Sequence, residues 1–117
     1  MNPDKNSKLL RIFLGEYDKH NGMPLYEAIV LAAKKHGLAG ATVFRGILSY
    51  GASSIIHASK LLDLPLDLPI IAEIVDTQEK IDEFVEVVNP IIEEAGCGAL
   101  ITIEAVEVIR YKAKKND

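Results

Sequence analysis

The sequence predicts an α+β fold with elements in the order β-α-β-β-α-β, a four-stranded antiparallel sheet carrying both helices on one face. Three observations carry this expectation. Short β-branched runs bounded by Gly or Pro recur at Leu9 to Gly15, Ala41 to Tyr50, Pro69 to Val75 and Ala99 to Tyr111. Two stretches with helical spacing of apolar residues lie between the first and second runs and between the third and fourth. The second and third runs follow one another with no helix between them, which is the split βαβ, or ferredoxin-like, plan.

In the first run Leu10, Ile12 and Leu14 share a face, with Arg11 and Phe13 opposite. Asn21-Gly22 is strong turn chemistry. Pro24 fits the first helical position, where its missing N–H would have no partner anyway. The helix it opens extends to about His36, with Leu25, Ala28, Ile29 and Ala32 forming the buried stripe and Gly37 the left-handed residue beyond its end. The run from Ala41 to Tyr50 is the second strand, and Pro69, acceptable only at a strand's start, opens the third. Asp76 or Thr77 caps the second helix. Ile81, Phe84, Val85, Val88, Ile92 and Ala95 keep its periodicity across Pro90, where a kink is expected; Gly96 ends it. Ala99 to Ile103 and Val106 to Tyr111 form the last strand, bent near Glu104-Ala105.

At 117 residues this is read as one domain, with 1–7 and 112–117 as flexible tails. A formal net charge of −4 argues against a nucleic-acid partner. The single cysteine, Cys97, points to a reducing compartment, and no apolar run reaches the roughly 18 residues of a membrane span. A cytoplasmic protein without membrane insertion is expected. The sheet face away from the helices, assigned Val43 with Ile47, Ile71 with Val75, and Phe13, is too apolar for a solvated monomer and predicts an oligomer.

Function is sought in the connection from Gly51 to Leu68, far longer than the two to five residues of a plain hairpin. Arg45, in an apolar strand, offers a planar fork of donors to a phosphate or carboxylate at a subunit boundary, or else pairs with Glu73 across the hairpin. Gly46 and Gly51 mark either a bulge or the close approach of a ligand or another backbone. Tyr50 stacks on a base or packs on a neighbouring subunit. Ser53, Ser54, His57 and Lys60 can hold an anion; alternatively Ser53 or Ser54 caps a short helix through Ile56 and Leu61. His57 is the strongest candidate among them. Gly96 and Gly98 can cradle a phosphate, although a helix end needs glycine anyway. Cys97 reads as a small buried hydrophobe rather than a nucleophile, and His20, His36 and His57 lack metal-ligand spacing. No cofactor or metal is expected.

The string Gly40-Ala41-Thr42-Val43-Phe44-Arg45-Gly46-Ile47, continued by Ser49-Tyr50-Gly51-Ala52, Ile56-His57, Asp67-Leu68-Pro69-Ile70-Ile71, Ile101-Thr102 and Val106, resembles domain of unknown function 190 from about Lys8 to Tyr111. That family is similar to the PII signalling proteins. The resemblance implies a homotrimer with ligands in clefts between subunits at the base of the long loop, which in PII proteins docks onto target proteins. The ending Val108-Ile109-Arg110 is similar to the PII terminus, where arginine meets nucleotide phosphates. Two departures stand against it: Gly96-Cys97-Gly98 is short and lacks the phosphate-directed lysine of PII proteins, and the long loop has no tyrosine at its centre.

The function expected is therefore a non-enzymatic, PII-like regulatory protein. It binds a small anionic ligand, with adenine nucleotides among the candidates, and signals through the 51–68 loop to a protein target. Two alternatives are an enzyme using His57 as general acid or base with Arg45 orienting an anionic substrate, and an ion-tolerance role.

Overall fold

The computed structural model describes residues 6–50, 57–58 and 68–112. The main sheet is built from β1 (Ser7–Gly15), β4 (Thr42–Arg45), β7 (Pro69–Thr77) and β8 (Leu100–Ala105) in the order β4-β7-β1-β8, with every neighbouring pair antiparallel. Two helices, α1 (Leu25–Lys35) and α2 (Gln78–Ala95), complete the βαββαβ order. Between β1 and α1 the short strands β2 (Lys19–His20) and β3 (Met23–Pro24) form a hairpin. Its two turn residues, Asn21 and Gly22, have φ of 52° and 79°, the pair of left-handed conformations that a two-residue hairpin loop favours.

The register decides which side chains meet the helices. Residues directly opposite in adjacent strands lie on one face, so Leu10, Ile12 and Leu14 of β1 align with Ile74, Ala72 and Ile70 of β7. These pack against Leu25, Ile29 and Ala33 of α1 and Ile81, Phe84, Val88 and Ile92 of α2. Ala28 and Ala32, placed on the α1 stripe by spacing, are only partly buried, and Ala33 takes the inner position. Pro24 is the residue before the helix, one position earlier than expected, and its extended ψ of 133° turns the chain into Leu25. Gly37 and Gly96 take left-handed conformations, as the helix ends require. Thr77 rather than Asp76 caps α2: its side chain accepts the Lys80 N–H at 3.3 Å. The helix runs without interruption through Pro90.

Three strand expectations are corrected. The run from Ala41 to Tyr50 is not one strand. It stops at Arg45, resumes as β5 (Leu48–Ser49) and pairs there with β6 (His57–Ala58), so His57 lies opposite Ser49. Of the alternative short helix through Ile56 and Leu61, only His57 and Ala58 are described, and they are strand; Ile56 and Leu61 lie outside the described residues. Val106 to Tyr111 leaves the sheet, because β1 begins at Ser7. The Val106 N–H donates to the Ser7 carbonyl at 3.1 Å, and beyond it there is no ladder partner among the described residues.

Finally, Val43 pairs with Ala72 and packs on the core, whereas Phe44 pairs with Ile71 on the other face. The uncovered face thus carries Leu9, Phe13, Phe44, Ile71, Val75 and Leu100, with Phe44 49% and Leu100 57% exposed. Within it Arg11 bridges Glu73, at 2.8 Å, and Glu104. The Glu73 hydrogen bond, reinforced by Glu104, pushes the Arg11 guanidinium further above its ordinary range.

Candidate functional site

A cleft of about 590 Å³ opens beside the uncovered face, where the C-terminal segment passes the start of β4. One wall is Ala39 to Thr42, the floor is Glu73 and Val75 of β7, and the other wall is Val108 to Tyr111. The volume falls in the range of small-molecule sites. Local chemistry holds the walls in place. Asp76, 1% exposed, accepts the Ala39 N–H at 2.8 Å and the Thr77 N–H at 2.7 Å, and so ties the first wall to the end of β7. The Tyr111 hydroxyl donates to the Ala39 carbonyl at 3.5 Å, closing the far wall against the first.

Arg110 lines this cleft and makes no hydrogen bond or ion pair among the described residues. Glu73, also lining it, is held by Arg11. The cleft therefore offers one uncommitted cation, one positioned carboxylate and the exposed main chain around Gly40. Such a set can take a ligand bearing both an anionic group and hydrogen-bond donors.

Arg45 is elsewhere. Although Thr42 and Arg45 are only three residues apart on β4, Arg45 aligns with Ile70 and therefore has the parity of the helix-bearing face, whereas Thr42 aligns with Glu73 on the other. The expected ion pair of Arg45 with Glu73 is corrected: Arg45 pairs with Glu16, which follows β1 on the same face, while Glu73 belongs to Arg11. Gly46 lies beside Arg45. Its N–H donates to the Pro69 carbonyl at 2.8 Å, and a Cβ there would stand 2.5 Å from Pro69 Cγ, so the close approach is that of another stretch of this chain. Tyr50 follows β5 and is 68% exposed.

Gly98 precedes β8, on the opposite edge of the sheet from β4 and at the end of β8 remote from Arg110. With β7 and β1 intervening, β4 and β8 lie about 14 Å apart. The predicted residues Arg45, Gly98 and Arg110 thus do not meet within one subunit. Gly51, Ser53, Ser54 and Lys60 lie outside the described residues, and of His57 the strand placement is described.

Cys97 is partly buried beside Asp18, and burial together with that carboxylate pushes its thiol upward, away from nucleophilic thiolate. Among the described residues no group of three His, Cys, Asp or Glu side chains is placed to hold a metal ion. No described helix is long and apolar enough to cross a membrane.

Thr42, Glu73 and Tyr111 are cleft residues that the sequence reading did not select as site residues, as is Glu16 at the Arg45 pair. Glu73 had a signal, a carboxylate among Ile71, Ala72, Ile74 and Val75. Glu16 and Tyr111 had none, because their partners lie 29 and 72 residues away in the chain.

A four-stranded antiparallel sheet in this strand order, with both helices on one face, is the ferredoxin-like fold of the PII-like proteins. The solved structure of CPII, a nitrogen regulatory PII-like protein from Thiomonas intermedia K12 bound to ADP, AMP and bicarbonate, is similar to this chain with a TM-score of 0.66 and 18% identity, over 89% of each chain. Residues 7–108 match the family DUF190, described as an uncharacterized ACR. A UPF0166 protein of Aquifex aeolicus is 44% identical over 102 residues, covering 87% of this chain and 92% of the relative. The UPF0166 protein of Methanocaldococcus jannaschii is 34% identical over 90 residues, covering 77% and 82%. The chain belongs to the DUF190 family.

Proposed function

We propose that this chain is a PII-like regulatory protein that acts by binding a small anionic ligand rather than by turnover, with an adenine nucleotide the first candidate. The observation that carries the reading is the cleft at Arg110, which joins an uncommitted guanidinium to a half-apolar recess of about 590 Å³ floored by Glu73 and Val75. Arg110 would take the phosphate end; Glu73 and the main chain around Gly40 would take hydroxyl or amino donors. CPII, which shares the fold, was solved with ADP, AMP and bicarbonate, and that supports testing those molecules first.

Self-association completes the reading. Leu9, Phe13, Phe44, Ile71, Val75 and Leu100 form one apolar face, whose burial in a homotrimer would place the Arg110 cleft of one subunit beside the loop base of the next. Arg45, Gly46, Tyr50, Gly51, Ser54, His57, Lys60 and Gly98 would then contribute from a neighbouring subunit. The ligand would alter the affinity of the 51–68 loop for a protein target, which requires that it bind the two loop states unequally. Free Cys97 suits the cytoplasm.

Titration calorimetry with ADP, AMP, ATP and bicarbonate on the native oligomer tests this. At least one nucleotide binds, is recovered chemically unchanged, and loses tenfold or more in affinity in Arg110→Ala. Binding of none of them, or equal binding by Arg110→Ala, would remove the reading.

A further inference from the structure

The long connection between β4 and β7 leaves and re-enters the sheet at one place, and a single residue of β1's extension reaches both ends of it. The Glu16 N–H donates to the Leu68 carbonyl at 2.9 Å, at the returning end. The Glu16 carboxylate takes a guanidinium nitrogen of Arg45, the last residue of β4, at the departing end. Between them the Gly46 N–H donates to the Pro69 carbonyl at 2.8 Å, the last main-chain link between the two stems among the described residues. Gly46 approaches Pro69 so closely that a Cβ would overlap its ring, so this junction closes only when the two stems are in register.

The two partners in the ion pair are unequal. Glu16 is 15% exposed and Arg45 58%. Only one guanidinium nitrogen of Arg45 is engaged, and its other donors have no partner among the described residues. An arginine fork with open donors binds a phosphate-type oxyanion by two parallel hydrogen bonds, a better match than one contact with a carboxylate. A shielded carboxylate stripped of its cation is costly, so Glu16 resists losing Arg45 and the two anions compete.

We propose that Arg45 and Glu16 form an anion-responsive clamp: a phosphate-type oxyanion draws Arg45 away from Glu16 and thereby loosens the Gly46–Pro69 junction that closes the stems of the long connection. The inference deepens the binding function proposed above and names its regulation at the loop base. Occupancy at Arg45 and opening of the stems are reciprocal, so whatever removes Glu16 must strengthen anion binding.

Amide hydrogen exchange at Gly46, with inorganic pyrophosphate as the probe, reads the clamp directly. Pyrophosphate accelerates Gly46 exchange severalfold in the native oligomer, and in Arg110→Ala, where Arg45 still supplies its fork, the same acceleration is reached at a higher pyrophosphate concentration. Glu16→Gln, nearly isosteric, speeds Gly46 exchange without any anion and binds pyrophosphate about fivefold or more tightly than wild type, the scale of ordinary coupling between sites. Arg45→Lys keeps the charge and loses the fork, so its Gly46 exchange no longer responds to pyrophosphate. Gly46 exchange indifferent to pyrophosphate, or Glu16→Gln binding no more tightly than wild type, would overturn the clamp. A clamp response to pyrophosphate without ADP binding would leave it standing while the nucleotide reading falls.

Discussion

The carboxylate of Asp76 and the main-chain N–H of Ala39 are joined at 2.8 Å in a site that water barely reaches, and this contact seats one wall of the Arg110 cleft on the end of β7. Asp76→Ala leaves two N–H groups, those of Ala39 and Thr77, without their acceptor. A hydrogen bond to a charged group contributes about 1.5–3 kcal/mol, so a loss of about 3 kcal/mol in urea unfolding is expected. Asp76→Asn keeps one acceptor oxygen and recovers part of it. Because Ala39 lines the cleft, ligand affinity drops along with stability.

Gly46 faces Pro69 too closely for any side chain. Gly46→Ala puts a methyl group 2.5 Å from Pro69 Cγ and costs about 1–3 kcal/mol, the usual range for overpacking. Pro69→Ala removes Cγ and leaves Cβ at 3.6 Å, an ordinary contact. The double variant is therefore more stable than the sum of the single losses, a coupling that denaturation of the four proteins measures.

Phe44, half-exposed on the uncovered face opposite Ile71, reports on self-association. Phe44→Glu adds a charge to the apolar face while leaving the core untouched. Sedimentation velocity is expected to show the assembled wild type giving way to single subunits in this variant. A wild-type protein sedimenting as a single subunit at micromolar concentration would contradict the oligomer.

Cys97 supplies a pH signature. Its folded thiol is raised above the unfolded value, first by burial and then by Asp18, so its contribution to stability is full below the unfolded thiol range and is lost as pH rises through the folded value. The stability advantage over Cys97→Ala therefore shrinks on the alkaline side and is flat near neutrality. Asp18→Asn removes the second cause, and iodoacetamide at a fixed alkaline pH then labels Cys97 faster than in wild type.

Much of this architecture is legible along the chain. Alternation in Leu10 to Leu14 and Ile70 to Ile74, the helical stripe of Ile81, Phe84, Val88 and Ile92, and the punctuation of Asn21-Gly22, Gly37 and Gly96 are short-range patterns. They depend on side-chain periods of 2 and 3.6 and on backbone conformations that glycine and asparagine tolerate. Even the excess of apolar residues on the open face could be counted, although Val43 was placed there in error for Phe44. One residue of parity separates the two, and only pairing with Ala72 and Ile71 distinguishes them.

Relations between distant residues belong to the tertiary structure. Whether Arg45 meets Glu16 or Glu73 depends on which face of β4 turns toward the helices, and whether Val106 to Tyr111 continues a strand depends on where β1 begins. Arg45 and Arg110, both phosphate candidates in the linear reading, end apart, one paired with Glu16 on the helix-bearing side and the other lining a cleft beside the uncovered face. Residue types and spacing specify the strands and helices because those are local choices of backbone geometry. Register and strand order bring together groups that no short-range pattern connects, and they alone decide which charges share a site.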